Sequence, residues 1–203
     1  MAYGIGLVFD PQTEARIRGV WCRLDAQGFV TPLARPGCLP HVSLVLSETL
    51  RVEGLARDLE GFKPFPCRPE VLVSHVGVFT EPEIVLFYGM TPTKVLLRLH
   101  ADVERIYRRW SSGIMARTRS GAWVPHCTLA GRVDGSRLSW AIAAAATPPL
   151  PWVVNRVRLA IVRFDQVCVE LLRVFPWQGW ITRSPRHVSC RPRGWRSLSL
   201  PDE

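Results

Sequence analysis

At 203 residues, with 47% hydrophobic content, the chain has room for one large domain or two small lobes around a real core. Its formal charge of +9 is carried by 24 Arg against only Lys63 and Lys94; guanidinium groups suit bidentate phosphate contacts, so RNA is a fitting partner, although codon composition also favours Arg. No apolar run approaches the roughly 18 residues of a membrane span, no basic leader opens the chain, and six cysteines without a Cys-x-x-Cys pair argue against a disulfide framework or zinc ribbon. The expectation is a soluble, cytoplasmic monomer with reduced thiols and no membrane partner.

Residues 4–10, Gly-Ile-Gly-Leu-Val-Phe-Asp, read as a strand that ends at Asp10-Pro11, with Asp10 placed to cap the helix that follows. Ile17, Val20, Trp21 and Leu24 recur at helical spacing, and Gly28 can end that helix. A Pro/Gly-rich loop over 29–40 leads into the run His41-Val42-Ser43-Leu44-Val45-Leu46. A second helix is expected after Ser47, with Leu50, Leu55 and Leu59 inward and Gly61 as its stop. Residues 68–79 and 83–90 read as two strands of a hairpin joined at Thr80-Glu81-Pro82.

The same order of elements then begins again. The strand at 84–88 passes through Thr91-Pro92 into a helix with Leu96, Leu99, Val103, Ile106 and Trp110 on one stripe. A Gly/Ser/Arg loop over 111–121 precedes His126-Cys127-Thr128-Leu129-Ala130, and a short helix follows over 134–146 with Leu138 and Ile142 inward. Residues 152–164 and 168–175 supply two closing strands. The chain therefore reads as an internal duplication with its boundary near 80–92, a bilobal domain over 1–182, and a basic, aperiodic tail over 183–203 expected to be disordered. The expected fold class is α+β, with two pseudo-symmetric lobes, each an antiparallel sheet backed by helices, and a cleft between them.

The two Pro-His-x-Ser/Thr-Leu motifs are the chemistry-bearing feature. A period of two puts His41 with Ser43, and His126 with Thr128, on one face of a strand whose other face is apolar. Packing alone would be better served by Leu or Val, and the motif occurs twice, 85 positions apart and in register with the repeat. Two imidazoles across one phosphate can remove a proton from an attacking water and give one to a leaving oxygen, while the hydroxyls donate to oxygens on which charge builds. That chemistry calls for no metal and no cofactor.

Over roughly residues 3–176 the sequence resembles the 2H phosphoesterase superfamily, in particular its 2′-5′ RNA ligase, or RNA 2′,3′-cyclic phosphodiesterase, family. The resemblance rests on Pro-His-Val-Ser-Leu-Val-Leu, Val-Gly-Val-Phe at 76–79, Leu-Arg-Leu-His-Ala-Asp-Val at 97–103 and Pro-His-Cys-Thr-Leu-Ala. It implies hydrolysis of RNA 2′,3′-cyclic phosphate ends, or of small cyclic nucleotides, to 2′-phosphates, with reversible 2′-5′ joining in some members. It also implies His41 and His126 as the catalytic pair and Ser43 and Thr128 as phosphate-binding hydroxyls. Arg132, one position beyond where many members carry an arginine, is the further phosphate-binding candidate. Spacing does not decide which histidine is the base; the reading favours His126 as base and His41 as acid in hydrolysis.

Other readings remain in view. A non-catalytic RNA-binding module would fit the charge, yet the aromatic stretch of an RNA-recognition sheet is absent. No His-x-His or His-Glu-x-x-His offers a metal site. His75 and His100 read as structural, and Trp123 and Tyr88 as core residues more readily than as base-stacking ones.

Overall fold

The computed structural model describes residues 2–29, 31, 38–62, 69–164 and 169–175. The tail over 183–203, with its expected disorder, lies outside the described residues, as do Cys67, Cys168 and Cys190. Cys38 and Cys127 are buried and Cys22 is exposed, none of them in a disulfide.

Strand β1 (Ala2–Phe9) runs into helix α1 (Pro11–Ala26), which starts as Asp10 and Pro11 dictate: the Asp10 carboxylate accepts from the amides of Gln12 and Thr13. Gly28, at φ +74, takes the chain out of the helix. Strand β2 (His41–Leu50) carries the first motif, and α2 (Val52–Glu60) follows it. Leu50 thus ends the strand instead of facing inward from the helix. Strands β3 (Val71–Phe79) and β4 (Val85–Met90) form the expected hairpin, and α3 (Lys94–Tyr107) begins at Thr93, whose side chain accepts from the amide of Leu96. Trp110 falls beyond that helix, where its indole donates to Asp58.

The expected loop over 111–121 holds more structure than its composition suggests. Strand β5 (Ser111–Ile114) pairs with the end of β2, and a 3-10 turn (Ala116–Thr118) follows. Strand β6 (His126–Ala130) carries the second motif. After it, a 3-10 turn over Gly135–Arg137 leads into α4 (Leu138–Ala145). That helix buries Ala141 and Ala145 and leaves Ile142 38% exposed, contrary to the inward position expected for Ile142.

The apolar run at 152–164 is two strands, β7 (Trp152–Val154) and β8 (Val157–Phe164), and β9 (Val169–Phe175) closes the chain. The break between them is pinned by Asp10, whose carboxylate accepts from the amide of Arg156 and whose own amide donates to the Arg156 carbonyl. Alternation alone does not reveal the break, because both strands are apolar.

The architecture is the expected α+β one, with two antiparallel sheets ordered β5-β2-β1-β8-β9 and β6-β4-β3-β7. The element order repeats as the sequence indicates, but the halves exchange strands. β3 from the first half joins the sheet of β4 and β6, while β8 and β9 join the sheet of β1 and β2. Helices cross over as well, with α1 packing on β6 and α4, and α3 on β2 and α2. One continuous core, including Leu7, Ile17, Trp21, Leu44, Leu86, Tyr88, Leu99 and Tyr107, lies between helices and sheets. A small second cluster of Val8, Ala160, Val162 and Val169 covers the opposite face of the first sheet. No helix among the described residues is long and apolar enough to cross a membrane.

Candidate active site

The two motif strands lie side by side, β2 packing against β6. In each, the residues that alternate with His and hydroxyl point into the core: Val42, Leu44, Cys127 and Leu129 are buried, whereas His41, Ser43, His126 and Thr128 are only partly so. The burial pushes the Cys127 thiol up to about 12, despite a hydrogen bond from the backbone of His41. His41, Ser43, His126 and Thr128 are thus brought to adjoining strand faces, as the period of two requires.

Both imidazoles are held in the same way. His41 Nδ1 lies 2.8 Å from the Leu39 carbonyl and His126 Nδ1 lies 2.7 Å from the Val124 carbonyl, in each case two residues back across a proline. A carbonyl can only accept, so Nδ1 carries the proton, and the neutral ring keeps its lone pair on Nε2. Rings of phenylalanine flank both. Phe164 sits 5.5 Å from His41, and Phe79 and Phe87 sit 4.9 Å and 5.3 Å from His126, centroid to centroid. Phe79 and Phe164 are the last residues of β3 and β8, an equivalence that aligning the two halves on these terminal phenylalanines would have exposed.

Burial holds both histidines below the ordinary value, only partly offset by the Nδ1 hydrogen bonds to Leu39 and Val124. The charge of His126 lowers His41 further, and the Arg117 guanidinium lowers His126 further. Arg117 is an exposed residue of the 3-10 turn that sequence reasoning missed, because the turn sits inside what reads as a loop. Arg132 is mostly exposed, adopts φ +51, and its guanidinium is engaged 3.1 Å from Glu83 in the β3–β4 turn.

Two tryptophans fix the hydroxyl-bearing residues from outside the strands. The Trp21 indole donates to the Thr128 carbonyl (3.2 Å), and the Trp123 indole donates to the Ser43 carbonyl (2.8 Å). Each half therefore supplies the tryptophan that satisfies the open strand edge of the other half. Trp123 is buried and stacked 4.2 Å over His100, and Tyr88 is buried with its hydroxyl on the Ala145 carbonyl. Neither offers a face to a base. His100 is structural, as expected: its Nε2 reaches the Leu44 and Thr118 carbonyls at 3.0 Å each. The 3-10 turn is tied to β2 through Thr118 Oγ1 and the Leu46 amide, and to α3 through Ser120 and the buried Glu104. Burial alone would raise the Glu104 carboxyl, but the hydrogen bonds from Ser120 and Arg108 hold it below the ordinary value.

His100, like the site pair, is held low by its burial. A stability consequence follows. The unfolded chain takes up protons on these rings near about 6.5, while the folded chain resists until lower pH. Their contribution is therefore fully present above about 6.5 and is lost as pH falls through the folded values. The melting temperature should fall between about pH 7.5 and about pH 5.5, and a value that holds or rises across that window contradicts the depressed histidines.

No group of three or more His, Cys, Asp or Glu side chains among the described residues is arranged to hold a metal ion. What the arrangement can do is transfer protons on two sides of one small anion, with hydroxyl donors beside each imidazole.

Comparison with known proteins gives a family and a set of folds. The family model described as the 2′-5′ RNA ligase superfamily matches residues 34–166. Among solved structures, Escherichia coli LigT complexed with 3′-AMP is 15% identical, with 86% of this chain and 94% of that one covered and a TM-score of 0.49. A structure titled a phosphoesterase is 16% identical, with 85% and 95% covered and a TM-score of 0.49. Kluyveromyces marxianus Usb1 with uridine monophosphate is 17% identical, with 84% and 97% covered and a TM-score of 0.41. No curated protein matches the chain.

Proposed function

The chain belongs to the 2′-5′ RNA ligase superfamily, and from that premise we propose that it opens RNA 2′,3′-cyclic phosphate ends to 2′-phosphates, with His41 and His126 as an acid–base pair. The observation that carries the reading is the matched tethering of the two rings. Each is fixed through Nδ1 by the carbonyl two residues back, which leaves Nε2 of each as the nitrogen that can meet a substrate.

In hydrolysis a water oxygen attacks the phosphorus and its proton passes to the Nε2 of the base, His126. The bond from phosphorus to the 3′ oxygen breaks, and that oxygen takes the Nε2 proton of the acid, His41, which enters the step as the imidazolium. The phosphate stays on the 2′ oxygen, and one proton moving from His126 to His41 through solvent restores the pair. With a 5′-hydroxyl in place of the water, the same proton transfers would join two ends through a 2′-5′ linkage, and run backwards they would cleave it. Ser43 and Thr128 hydroxyls donate to the non-bridging oxygens, and Arg117 adds positive charge on the His126 side. Nothing in these steps routes through a metal.

The experiment is incubation of a short RNA ending in 2′,3′-cyclic phosphate with the protein in EDTA, with products separated by phosphate position. The expected product is the 2′-phosphate at an undiminished rate. Loss of activity in EDTA with rescue by one divalent cation, or formation of the 3′-phosphate, refutes the reading.

A further inference from the structure

His75 has the spacing of an ordinary strand residue and no counterpart in the repeat, but the sheet puts it in an informative place. Gly89 in β4 is directly opposite His75 of β3 on one side and His126 of β6 on the other. Directly opposed residues of antiparallel strands share a face, so His75 and His126 project from the same side of the sheet, about 10 Å apart at their backbones. The His75 ring closes much of that gap by lying over the glycine. A Cβ at Gly89 would sit 2.2 Å from Cε1 and Nε2 of His75, which is why that position carries no side chain.

The ring is also oriented. Ser74 Oγ donates to the Gly89 carbonyl at 3.3 Å, so its oxygen is left to accept from His75 Nδ1 at 2.9 Å. That chain puts the proton on Nδ1 and directs Nε2 away from the strand, the same tautomer as in His41 and His126. Nε2 of His75 has no partner among the described residues. The flank is open, because β7 pairs only with Val71, Leu72 and Val73. The groups facing His75 from neighbouring strands are His126 across Gly89 and the Phe87 ring at 6.5 Å, and no carboxylate ion-pairs with it among the described residues.

We propose that His75 is a third imidazole of the site, contacting the substrate through Nε2 and binding an oxygen of the phosphate on which His41 and His126 act. The inference rests on the reading of the site as a phosphoester-binding cleft. With Nδ1 still donating to Ser74 and a second proton carried on Nε2 in the complex, the ring donates to a non-bridging oxygen from the His126 side of the site. It binds the phosphate and takes no part in the proton transfers, so its loss weakens binding more than turnover.

Two measurements test it. With cyclic-phosphate RNA, His75→Ala should raise KM by roughly 10–100-fold with kcat changed far less, the size expected for one hydrogen bond to a charged group. His75→Gln, whose amide nitrogen can stand where Nε2 does, should recover most of the loss. In the unaltered protein, titration with inorganic phosphate should move the His75 imidazole nitrogen resonance to a saturating value. An active enzyme whose His75→Ala variant keeps its KM overturns the proposal, as does a His75 resonance indifferent to phosphate, whether or not RNA is turned over. A protein that shifts with phosphate but leaves the cyclic end intact refutes the proposed reaction and leaves the phosphate contact standing.

Discussion

Replacing either His41 or His126 by Ala should lower turnover of a cyclic-phosphate RNA end by roughly 10²–10⁴-fold while the protein stays folded. Both rings are partly accessible and both are tethered only through Nδ1, so their removal opens the cleft without unpairing a strand. The double variant should cost much less than the product of the two single losses, because the groups act in one transition state. Ser43→Ala and Thr128→Ala should cost less, on the order of 10–10³-fold, as single donors to a charged oxygen. Steady-state rates of the five variants, with circular dichroism to confirm folding, make the comparison. A folded single histidine variant with near-native turnover would return the protein to the reading of a non-catalytic RNA-binding module.

Trp21 and Trp123 should be the costliest side chains to lose for stability. Trp21→Ala and Trp123→Ala each remove a buried indole, and losses of about 3–5 kcal/mol are expected. The milder Trp→Phe changes separate packing from hydrogen bonding. They keep most of the ring but leave the Thr128 or Ser43 carbonyl without its donor, which costs about 1–3 kcal/mol. Because those carbonyls belong to the residues that present the hydroxyls, the Phe variants should also lose activity at temperatures where they remain folded. Chemical denaturation and rate measurements on the same samples read both effects. Phe variants with native stability would show that the indole nitrogens matter little.

Much of this is legible in the sequence. The motif strands, the Asp10 and Thr93 caps and the repeated order of elements follow from local rules of periodicity and capping. So does the placement of His41 with Ser43 and of His126 with Thr128. What local rules miss is whatever depends on distant partners. Residues 152–164 read as one strand because both halves of the run are apolar, and only the bond to Asp10 reveals the break. Ser111–Ile114 read as loop because Ser and Gly favour no element, and the strand exists because β2 offers an open edge there. Trp123 reads as a core residue more readily than as a base platform, and it is one, but its stacking on His100 is again a contact between distant positions. His75 reads as structural because no spacing along the chain relates it to His126; only the sheet sets the two on either side of Gly89.

The exchange of strands between halves bears on how the protein comes to be folded at all. Ala2 is paired with Phe164, a closure of 162 positions, and β1 cannot complete its sheet until β8 has been made. Such long-range pairing incurs its entropy cost before the contacts compensate, so folding should be slow and governed by topology rather than by helix formation. During synthesis the first half emerges with β3 committed to a sheet that does not yet exist. The cleft and its histidines are therefore assembled at the end of folding, when both walls close together.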